Sequence, residues 1–476
     1  MLRKAGVPVA PRQMKVLLVV PPARSKVVEI FGTGGPPLNL AYLASALELE
    51  GHEVRIVDSL TLGYGLEELA REVRSFDPDV VGITATTPAI YKAYEVAELA
   101  KAISPDCKVV LGGPHATFTS PEVLSECPYV DVVVRGEGEV TLCDVVNRLA
   151  RGSGLKGVLG ITHRHGDTIR YEPARPMVKD VDALPWPAYH LLPMDKYEFD
   201  GVRFGVMLTS RGCPYRCIFC SSSKLMGKVW RARSPEDVVE EARFISEKYR
   251  IKELEFLDDT FTLDMRRARR IAELLIKEGL DLDWSCSSRA NTINERLALK
   301  LRKAGCHSVY LGVESASQET LNFLRKGITV RQVLDAFKAL RKADLNIVAT
   351  FILGIPCETK DMMVKTIRFA KKVNPTLAQF TIFTPYPGTE AYEEARRKGL
   401  LLTRDWSKYD TLTPVLKHPY LSPGEIRRLF YRAYLSFYGS LRFLANALRR
   451  RLLPLLVRGI KGIFTALRNY ITGTAR

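Results

Sequence analysis

The sequence contains no long hydrophobic run. Within its 476 residues, no stretch approaches the roughly 18 consecutive apolar residues that a membrane-spanning helix needs. Residues 1–14 also lack the apolar core of a secretory signal peptide, so we expect a cytoplasmic protein. Hydrophobic residues make up 46% and charged residues 26% of the chain. Because these proportions are those of a globular protein, they exclude an intrinsically disordered or collagen-like chain.

Acidic residues are few compared with basic ones. The chain has 53 Asp and Glu against 70 Lys and Arg, which gives a net charge of +17. Much of the excess lies in residues 424–476, where eleven Lys or Arg accompany a single Glu. Since the charge is concentrated in one terminal segment, it does not indicate a nucleic-acid-binding body. We therefore expect no nucleic-acid partner.

The nine cysteines are too scattered to predict a disulfide framework, except for three in a CxxxCxxC pattern. Cys213, Cys217 and Cys220 have a spacing that indicates metal or redox chemistry. Three thiolates can hold three irons of a [4Fe-4S] cluster and leave the fourth iron open. A structural zinc site would need a fourth ligand close by, and the nearest histidines, His190 and His307, lie far along the chain. A zinc site or metal-free buried cysteines remain the alternatives.

Five short apolar segments separated by helical patterns occupy the first third of the chain. They predict strands at residues 15–20, 53–57, 80–84, 108–111 and 130–134. This alternation predicts a parallel sheet covered on both faces, a Rossmann-like domain over residues 14–150. Ligand loops of such a domain lie at the carboxyl ends of the strands.

The predicted strand-end loops of this domain are rich in glycine and hydroxyl side chains. Glycines there let the backbone approach a bulky ligand or a phosphate; tight turns without a ligand are the alternative. The candidate ligand-binding residues are Thr84, Thr86, Gly112, Gly113, Gly136, Glu137 and Gly138.

The rest of the chain divides into three predicted segments. Residues 151–200 form an irregular connector, with a hairpin at residues 154–172 and a proline-rich run. Residues 201–400 carry six βα units, which predict a (β/α)6 partial TIM barrel with its chemistry at the strand carboxyl ends. The predicted barrel strands are residues 205–209, 253–257, 283–287, 308–312, 347–353 and 377–383. Residues 401–476 form a basic helical C-terminal region.

The CxxxCxxC loop directly follows the first predicted barrel strand, and it resembles the radical S-adenosylmethionine (SAM) family over residues 204–399. The resemblance implies that Cys213, Cys217 and Cys220 hold a [4Fe-4S] cluster whose open iron binds SAM. An electron from a donor such as ferredoxin or flavodoxin would then cleave SAM to a 5′-deoxyadenosyl radical. Phe219 matches the aromatic position before the last cysteine.

The later strand ends resemble the family's SAM-binding segments. The motifs read EFLDDTFT, SCSSRA, YLGVES and FILGIPCET, in this order along the chain. The resemblance implies contacts to the SAM amino group, carboxylate, ribose and adenine. The residues it assigns to cofactor binding are Asp258, Asp259, Ser288, Arg289, Glu314, Ser315, Gly354 and Pro356. The alternatives are that Asp258 caps the following helix and that Glu314 is a structural carboxylate.

A Rossmann-like domain ahead of this barrel resembles the cobalamin-binding class of radical SAM enzymes, which includes class B methyltransferases and anaerobic cyclases. The resemblance places cobalamin at the strand-end loops of residues 84–88, 112–113 and 136–139. The DxHxxG motif that supplies an axial histidine in many cobalamin proteins is absent, since residues 21–37 contain neither Asp nor His. We therefore expect cobalamin without a histidine ligand.

The C-terminal region predicts amphipathic helices. Leu429, Ala433, Phe437, Leu441 and Leu444 fall on one helical face. A second segment at residues 455–468 mixes apolar residues with cations, a pattern that suits an anionic membrane surface. The protein is thus expected to touch the inner face of the cell membrane; helices docked on the barrel are the alternative.

These features together predict an enzyme that methylates or otherwise modifies an unactivated carbon of a lipid, another membrane-associated substrate or a small molecule. An oxidative cyclase or C–C bond-forming enzyme of tetrapyrroles or lipids is a second hypothesis. A non-catalytic cobalamin or Fe–S sensor is a third. An RNA-modifying methylthiotransferase is disfavoured because Cys107, Cys127 and Cys143 do not form a cluster motif. The sequence assigns no catalytic acid or base.

Overall fold

Two β-sheets organise the chain. The computed structural model describes residues 12–23, 35–199 and 201–449, which divide into two units. The first unit contains residues 12–23, 37–178 and 184–193, and the second contains the other described residues. Both units are α/β, so the predicted fold class is confirmed.

The first unit is built on a seven-stranded sheet. Its strands are β1 Lys15–Val20, β2 Glu53–Asp58, β3 Val80–Thr84, β4 Lys108–Gly112, β5 Val132–Val134, β6 Ile161–His165 and β7 Thr168–Tyr171. Their spatial order is β2-β1-β3-β4-β5-β6-β7, and β1 to β5 are parallel. The connections leave β1 in opposite directions toward β2 and β3, so the topological switch point, where such sheets bind ligands, lies between β1 and β3.

Helices on both faces bury the central strands of this sheet. Leu17 and Leu18 of β1 and Val80 and Val81 of β3 are fully buried, which explains why the strands read as continuous apolar runs. The helices are Leu38–Leu49, Ser59–Leu62, Leu66–Phe76, Ile90–Ile103, Pro114–Phe118, Ser120–Glu126 and Glu139–Ala150, with short 3-10 turns at Thr87–Ala89 and Tyr189–Leu191.

The predicted hairpin forms the edge of this first sheet. Strands β6 and β7 pair antiparallel with each other, and β6 pairs antiparallel with β5. The hairpin lies within the segment predicted as a connector, but the structure places it in the first unit together with the sheet.

The second unit contains the predicted partial barrel. Its strands are β8 Glu198–Phe199, β9 Val202–Met207, β10 Ser210–Arg211, β11 Arg231–Ala232, β12 Glu253–Phe256, β13 Asp283–Ser288, β14 Cys306–Glu314, β15 Asn346–Leu353 and β16 Leu377–Ile382. The main sheet has the order β16-β15-β14-β13-β12-β9-β8. Its strands β9 and β12 to β16 are parallel, and β10 and β11 form a separate two-stranded ribbon. This is the predicted (β/α)6 arrangement.

Most barrel helices begin at a capping side chain. Eight N-cap residues accept a hydrogen bond from a backbone N–H of the first turn, which fixes where each helix starts. The caps are Ser234, Asp264, Asn294, Ser317, Thr329, Thr359, Thr389 and Ser422. The helices are Ser222–Leu225, Pro235–Tyr249, Met265–Glu278, Glu295–Lys303, Gln318–Phe323, Val330–Lys342, Lys360–Val373, Glu390–Arg397, Pro423–Tyr438 and Leu441–Arg449, with a 3-10 turn at Trp406–Lys408.

Helix Pro423–Tyr438 lies along strand β16. The Tyr434 hydroxyl donates to the Phe380 carbonyl (2.9 Å) and accepts from the Phe380 N–H (3.1 Å). The Tyr438 hydroxyl does the same with Ala378, at 2.8 and 3.2 Å. This helix is therefore docked on the barrel.

The predicted apolar face of the C-terminal region is split. Leu429, Ala433 and Phe437 are buried against the barrel, whereas Leu441 is 84% exposed and Leu444 is 39% exposed. The prediction that these five residues form one membrane-facing stripe was therefore wrong for the first three, because the barrel already covers them. The second predicted segment, residues 455–468, lies outside the described residues. No described helix is both long and apolar enough to cross a membrane.

Candidate active site

The three motif cysteines lie on one loop between β10 and β11. Cys213, Cys217 and Cys220 are all partly exposed and unpaired. The Cys220 N–H donates to the Cys217 carbonyl at 3.2 Å, which folds the second half of the motif into a tight turn. The motif thus presents its thiols from a single short loop at the carboxyl end of β9.

Burial changes the acidity of two of these thiols. Desolvation raises the pKa of Cys213 and of Cys220, so both are protonated at neutral pH until a metal displaces the protons. Among the described residues, no three Cys, His, Asp or Glu side chains are gathered closely enough to hold a single metal ion. The residues that surround the cysteine loop decide whether the loop can hold an iron–sulfur cluster.

The carboxylate of Asp258 is engaged in hydrogen bonds within the barrel. Asp258 is buried, and its carboxylate accepts four hydrogen bonds, from the N–H and hydroxyl of Thr209 (both 2.6 Å) and of Ser210 (3.2 and 2.8 Å). Asp264, not Asp258, caps the following helix. Asp258 therefore joins the end of β12 to the start of the cysteine loop, and this leaves it little capacity to bind a ligand.

Asp259 is the acidic side chain that faces the loop. Its side chain is accessible, yet the surrounding protein desolvates it and raises its pKa, while a hydrogen bond with Ser222 acts in the opposite direction. Ser222 also bonds to Cys220. Asp259 is therefore an exposed carboxyl group next to the cysteine loop, where a ligand bound at that loop can contact it.

Arg289 lies at the centre of the site. Its Nη1 is 3.8 Å from the Cys217 Sγ, its guanidinium stacks 3.5 Å from the Tyr215 ring centre, and its Nη2 donates to the Lys326 carbonyl. The buried Nε has no hydrogen-bond partner. Because a buried donor without a partner is costly, this nitrogen fits an anionic or carbonyl group of a bound ligand.

Ser288 belongs to a buried group of hydroxyls. Its Oγ lies 2.7 Å from Thr262 Oγ1, which in turn lies 2.8 Å from Thr292 Oγ1. Thr292 also accepts from the Arg289 N–H at 3.1 Å. Ser288 therefore supports the backbone of Arg289.

Glu314 forms a buried ion pair with Lys326. The Lys326 Nζ lies 2.6 Å from Glu314 Oε1, and Thr350 donates to Oε2 at 3.3 Å. Glu314 has a left-handed backbone (φ 64°) beside an irregular register between β14 and β15. Bulges of this kind re-aim side chains at functional sites.

Lys326 was not predicted from the sequence. Its ammonium also lies 5.9 Å from the ring centre of Phe219, so one side chain joins the fourth-strand carboxylate to the cysteine loop. The only signal in the sequence is a Lys-Gly pair after helix Gln318–Phe323, which is typical of an ordinary helix end.

The remaining barrel predictions lie at structural positions. Ser315 donates to Glu358 at 3.2 Å, and burial raises the pKa of Glu358 to about 8. Gly354 has φ 76°, and a Cβ there would lie 3.1 Å from Ile426 of the docked helix. Pro356, two residues later, is partly exposed. Ser315 and Gly354 therefore stabilise the loop after β15.

In the first unit, the predicted loops differ in how open they are. A Cβ at Gly136 would have no atom within 4 Å, and its φ is 73°. At Gly113 a Cβ would lie 2.7 Å from the Ala85 carbonyl, and at Gly138 it would lie 2.9 Å from Leu43. Gly136 therefore leaves open space for a ligand. Close packing requires glycine at Gly138, and both packing and a φ of 96° require it at Gly113.

The other candidate residues of the first unit also differ in whether a ligand can contact them. Thr86 is exposed, and Thr84 accepts from Asn39 at 2.9 Å. A Cβ at Gly112 would lie 3.8 Å from the Val134 carbonyl, an ordinary contact. Glu137 accepts from the Val178 N–H at 2.8 Å, so it holds the segment that follows the hairpin. Thr84, Thr86 and the open backbone at Gly136 are the part of this group that fits a large cofactor.

Comparison with protein families assigns both units. The Radical SAM superfamily matches residues 207–370, and the B12 binding domain matches residues 24–146. The first match covers the cysteine loop and strands β12 to β15, and the second covers strands β2 to β5.

Two relatives share most of the chain. The uncharacterized methyltransferase PH0819 of Pyrococcus horikoshii is 50% identical, over 89% of this chain and 92% of its own length. The anaerobic magnesium-protoporphyrin IX monomethyl ester cyclase of Rubrivivax gelatinosus is 33% identical, over 90% of this chain and 78% of its own. The chain therefore belongs to the B12-binding radical SAM enzymes, a family of methyltransferases and cyclases whose cofactors are the predicted [4Fe-4S] cluster, SAM and cobalamin.

Solved structures share this fold at low identity. The radical SAM methyltransferase TsrM from Kitasatospora setae, with cobalamin and a [4Fe-4S] cluster bound, is 19% identical with a TM-score of 0.69, covering 88% of this chain and 82% of that chain. The cobalamin-dependent SAM radical enzyme OxsB, with aqua-cobalamin bound, is 19% identical with a TM-score of 0.75, covering 89% and 67%.

Proposed function

We propose that this enzyme transfers a methyl group to an unactivated carbon atom of its substrate. The observation that carries the proposal is Arg289, a buried cation that touches Cys217 and keeps a hydrogen-bond donor free for a ligand. Methyl transfer, among the reactions of the family, is favoured by the 50% identical relative that is called a methyltransferase.

Different residues of the second unit would bind the cluster and SAM. Cys213, Cys217 and Cys220 would hold the cluster, which with SAM and cobalamin supplies one-electron cleavage of SAM and a carrier for the methyl group. Arg289 would bind the carboxylate of SAM through Nε, since a guanidinium matches a carboxylate in charge and geometry.

Two carboxylates would bind the rest of SAM. Asp259 lies beside Cys213 and Cys220, where its charge suits an ammonium group. Glu314 would accept hydrogen bonds from ribose hydroxyls while Lys326 neutralises it. Asp258, Ser288 and Ser315 support these residues, and the loop of Gly354 and Pro356 would bound the adenine.

The corrinoid would lie at the strand ends of the first unit, against Thr84, Thr86, Gly112 and Gly136. His115 follows Gly113 by two residues, but it is buried with its Nδ1 3.2 Å from Thr87 Oγ1. Burial lowers the pKa of His115 to about 4. Its imidazole, on helix Pro114–Phe118, is therefore buried and hydrogen-bonded, which makes it a poor axial ligand.

We expect bound cobalamin to lack a protein imidazole ligand. Electron paramagnetic resonance of its cobalt(II) state should show no hyperfine splitting from an imidazole nitrogen. His115→Gln serves as the matched control and should leave the spectrum unchanged. Imidazole splitting that disappears in His115→Gln would contradict the expectation.

The substrate is proposed to be a lipid or another membrane-dissolved molecule. Exposed Leu441 and Arg442 border a groove of about 580 Å³ that is also lined by Ser440, Arg368, Lys371 and Lys372. Residues 450–476 add six Lys or Arg and no acidic residue. Such a cationic surface with an apolar contact suits the anionic inner face of a membrane, and binding of the full chain to anionic vesicles at low salt is the measurement.

The reaction is tested with the full chain under anaerobic conditions. The reconstituted protein is incubated with cobalamin, a reductant and SAM carrying a deuterated methyl group, together with lipid or water-soluble fractions of a cell extract. We expect mass spectrometry to find a lipid that has gained the labelled methyl group. Label only in water-soluble molecules would overturn the lipid assignment and retain methyl transfer.

Oxidative cyclisation is the second candidate, favoured by the 33% identical cyclase. The same experiment distinguishes it, because cyclisation removes hydrogen and adds no methyl group. An unlabelled product that has lost hydrogen atoms would replace methyl transfer with cyclisation.

A further inference from the structure

The cysteine loop is part of a larger closed excursion from the barrel. Strands β10 and β11 pair through Ser210↔Ala232 and Arg211↔Arg231, so residues 212–230 leave and return at one point. The excursion contains the three cysteines and then helix Ser222–Leu225. Its second half therefore stays close to the cysteines.

Tight backbone packing fixes that second half against Cys213. Gly212 has φ 88°, and a Cβ there would collide with the Val229 carbonyl. The Cys213 N–H donates to the Gly227 carbonyl at 3.1 Å. Lys228 and Val229 are consequently held beside the first cysteine.

The exposed side chains of the excursion are basic and apolar. Arg216, Lys224 and Lys228 are exposed, and Val229 is 73% exposed. Residues 201–233 contain seven Lys or Arg and no acidic residue. The nearby carboxylate of Asp259 comes from the end of β12 and is bonded to Ser222. The exposed part of the excursion thus combines three cations with one apolar side chain.

We propose that this face, formed by Arg216, Lys224, Lys228 and Val229, is the docking surface for an acidic one-electron carrier protein with a flavin or iron–sulfur centre. The inference rests on the proposed function, in which the same excursion holds the cluster. One electron leaves the reduced carrier, which is oxidised by one electron, and the cluster is reduced by one electron. No bond is made or broken in this step.

Charge complementarity indicates which kind of protein binds this surface. A cationic surface steers an anionic protein and fixes its orientation, and the exposed Val229 adds an apolar contact. Because the excursion carries the cysteines themselves, a carrier docked here would approach them directly. Such an interface is small and transient, as electron-transfer encounters are.

The test is binding of oxidised flavodoxin, an acidic flavin protein, to the reconstituted full chain in low salt. We expect Lys224→Glu/Lys228→Glu to raise the dissociation constant by about tenfold, since like charges replace attractive ones. Lys224→Gln/Lys228→Gln should give a smaller increase. The matched control, Lys303→Glu/Lys338→Glu, changes the charge equally at exposed positions of helices Glu295–Lys303 and Val330–Lys342 and should leave the affinity within about twofold.

A second measurement separates docking from chemistry. Cleavage of SAM driven by reduced flavodoxin should slow in Lys224→Glu/Lys228→Glu, whereas cleavage driven by dithionite, which needs no docking, should match the wild type. Two results would overturn the docking surface. One is an equal loss of flavodoxin binding in Lys224→Glu/Lys228→Glu and in the control variant, and the other is no loss of binding in Lys224→Glu/Lys228→Glu. Absence of dithionite-driven cleavage in the wild type would instead refute the proposed function.

Discussion

Replacing Cys217 with Ala should abolish the cluster and the cleavage of SAM. With two thiolates left on the loop, one iron of the [4Fe-4S] cube loses its protein ligand, and Arg289 loses its contact with the Cys217 sulfur. The expected result is loss of the visible absorbance of the reconstituted protein and of 5′-deoxyadenosine formation.

Cys127 provides the control for this experiment. It is also a free thiol, but it is buried in the first unit, which contains neither the cysteine loop nor the SAM-binding segments. Cys127→Ala should keep both the cluster and SAM cleavage. Full SAM cleavage by Cys217→Ala would refute the assignment of the loop as the cluster site.

Replacing Lys326 with Met should destabilise the enzyme by about 3–5 kcal/mol, because it leaves Glu314 as an unpaired buried carboxylate. The side chains of Lys326 and Glu314 are only 9% and 6% exposed, so water cannot replace the lost partner. Denaturant unfolding of the variant and the wild type measures the difference.

The neighbouring ion pair offers the control. Arg325 and Glu390 lie 2.8 Å apart but are 57% and 49% exposed, so Arg325→Met should cost at most about 1 kcal/mol. Lys326→Met combined with Glu314→Gln should regain most of the lost stability. If Lys326→Met costs no more than Arg325→Met, the pair does not organise the site.

The strands of both sheets were predictable because buried parallel strands are continuous apolar runs. The first and last residues of the strands were less predictable. Strand β5 begins at Val132, two residues after its predicted start, and β14 begins at Cys306, two residues before. The predicted strand omits Cys306 and His307, but His307 bonds with Glu253 on β12. A local pattern cannot reveal a partner from a distant strand.

The site shows the same limit at the level of side chains. Asp258 and Asp259 are neighbours in one motif, yet alternation at the strand end sends one into four internal hydrogen bonds and the other toward the cysteine loop. The motif predicted that carboxylates matter here, not which one is free. Lys326 was missed because its partner, Glu314, belongs to a different element.

The tyrosines of the docked helix also cover the open edge of the barrel sheet. A half-barrel exposes the unpaired N–H and C=O groups of its last strand, which invite pairing with another chain. Here the Tyr438 and Tyr434 hydroxyls bind both backbone groups of Ala378 and Phe380, and the Ile382 N–H donates to the Thr411 carbonyl at 2.7 Å. Two phenols and one carbonyl thus take the place of a seventh parallel strand. The sheet can end at β16 without offering a template for aggregation.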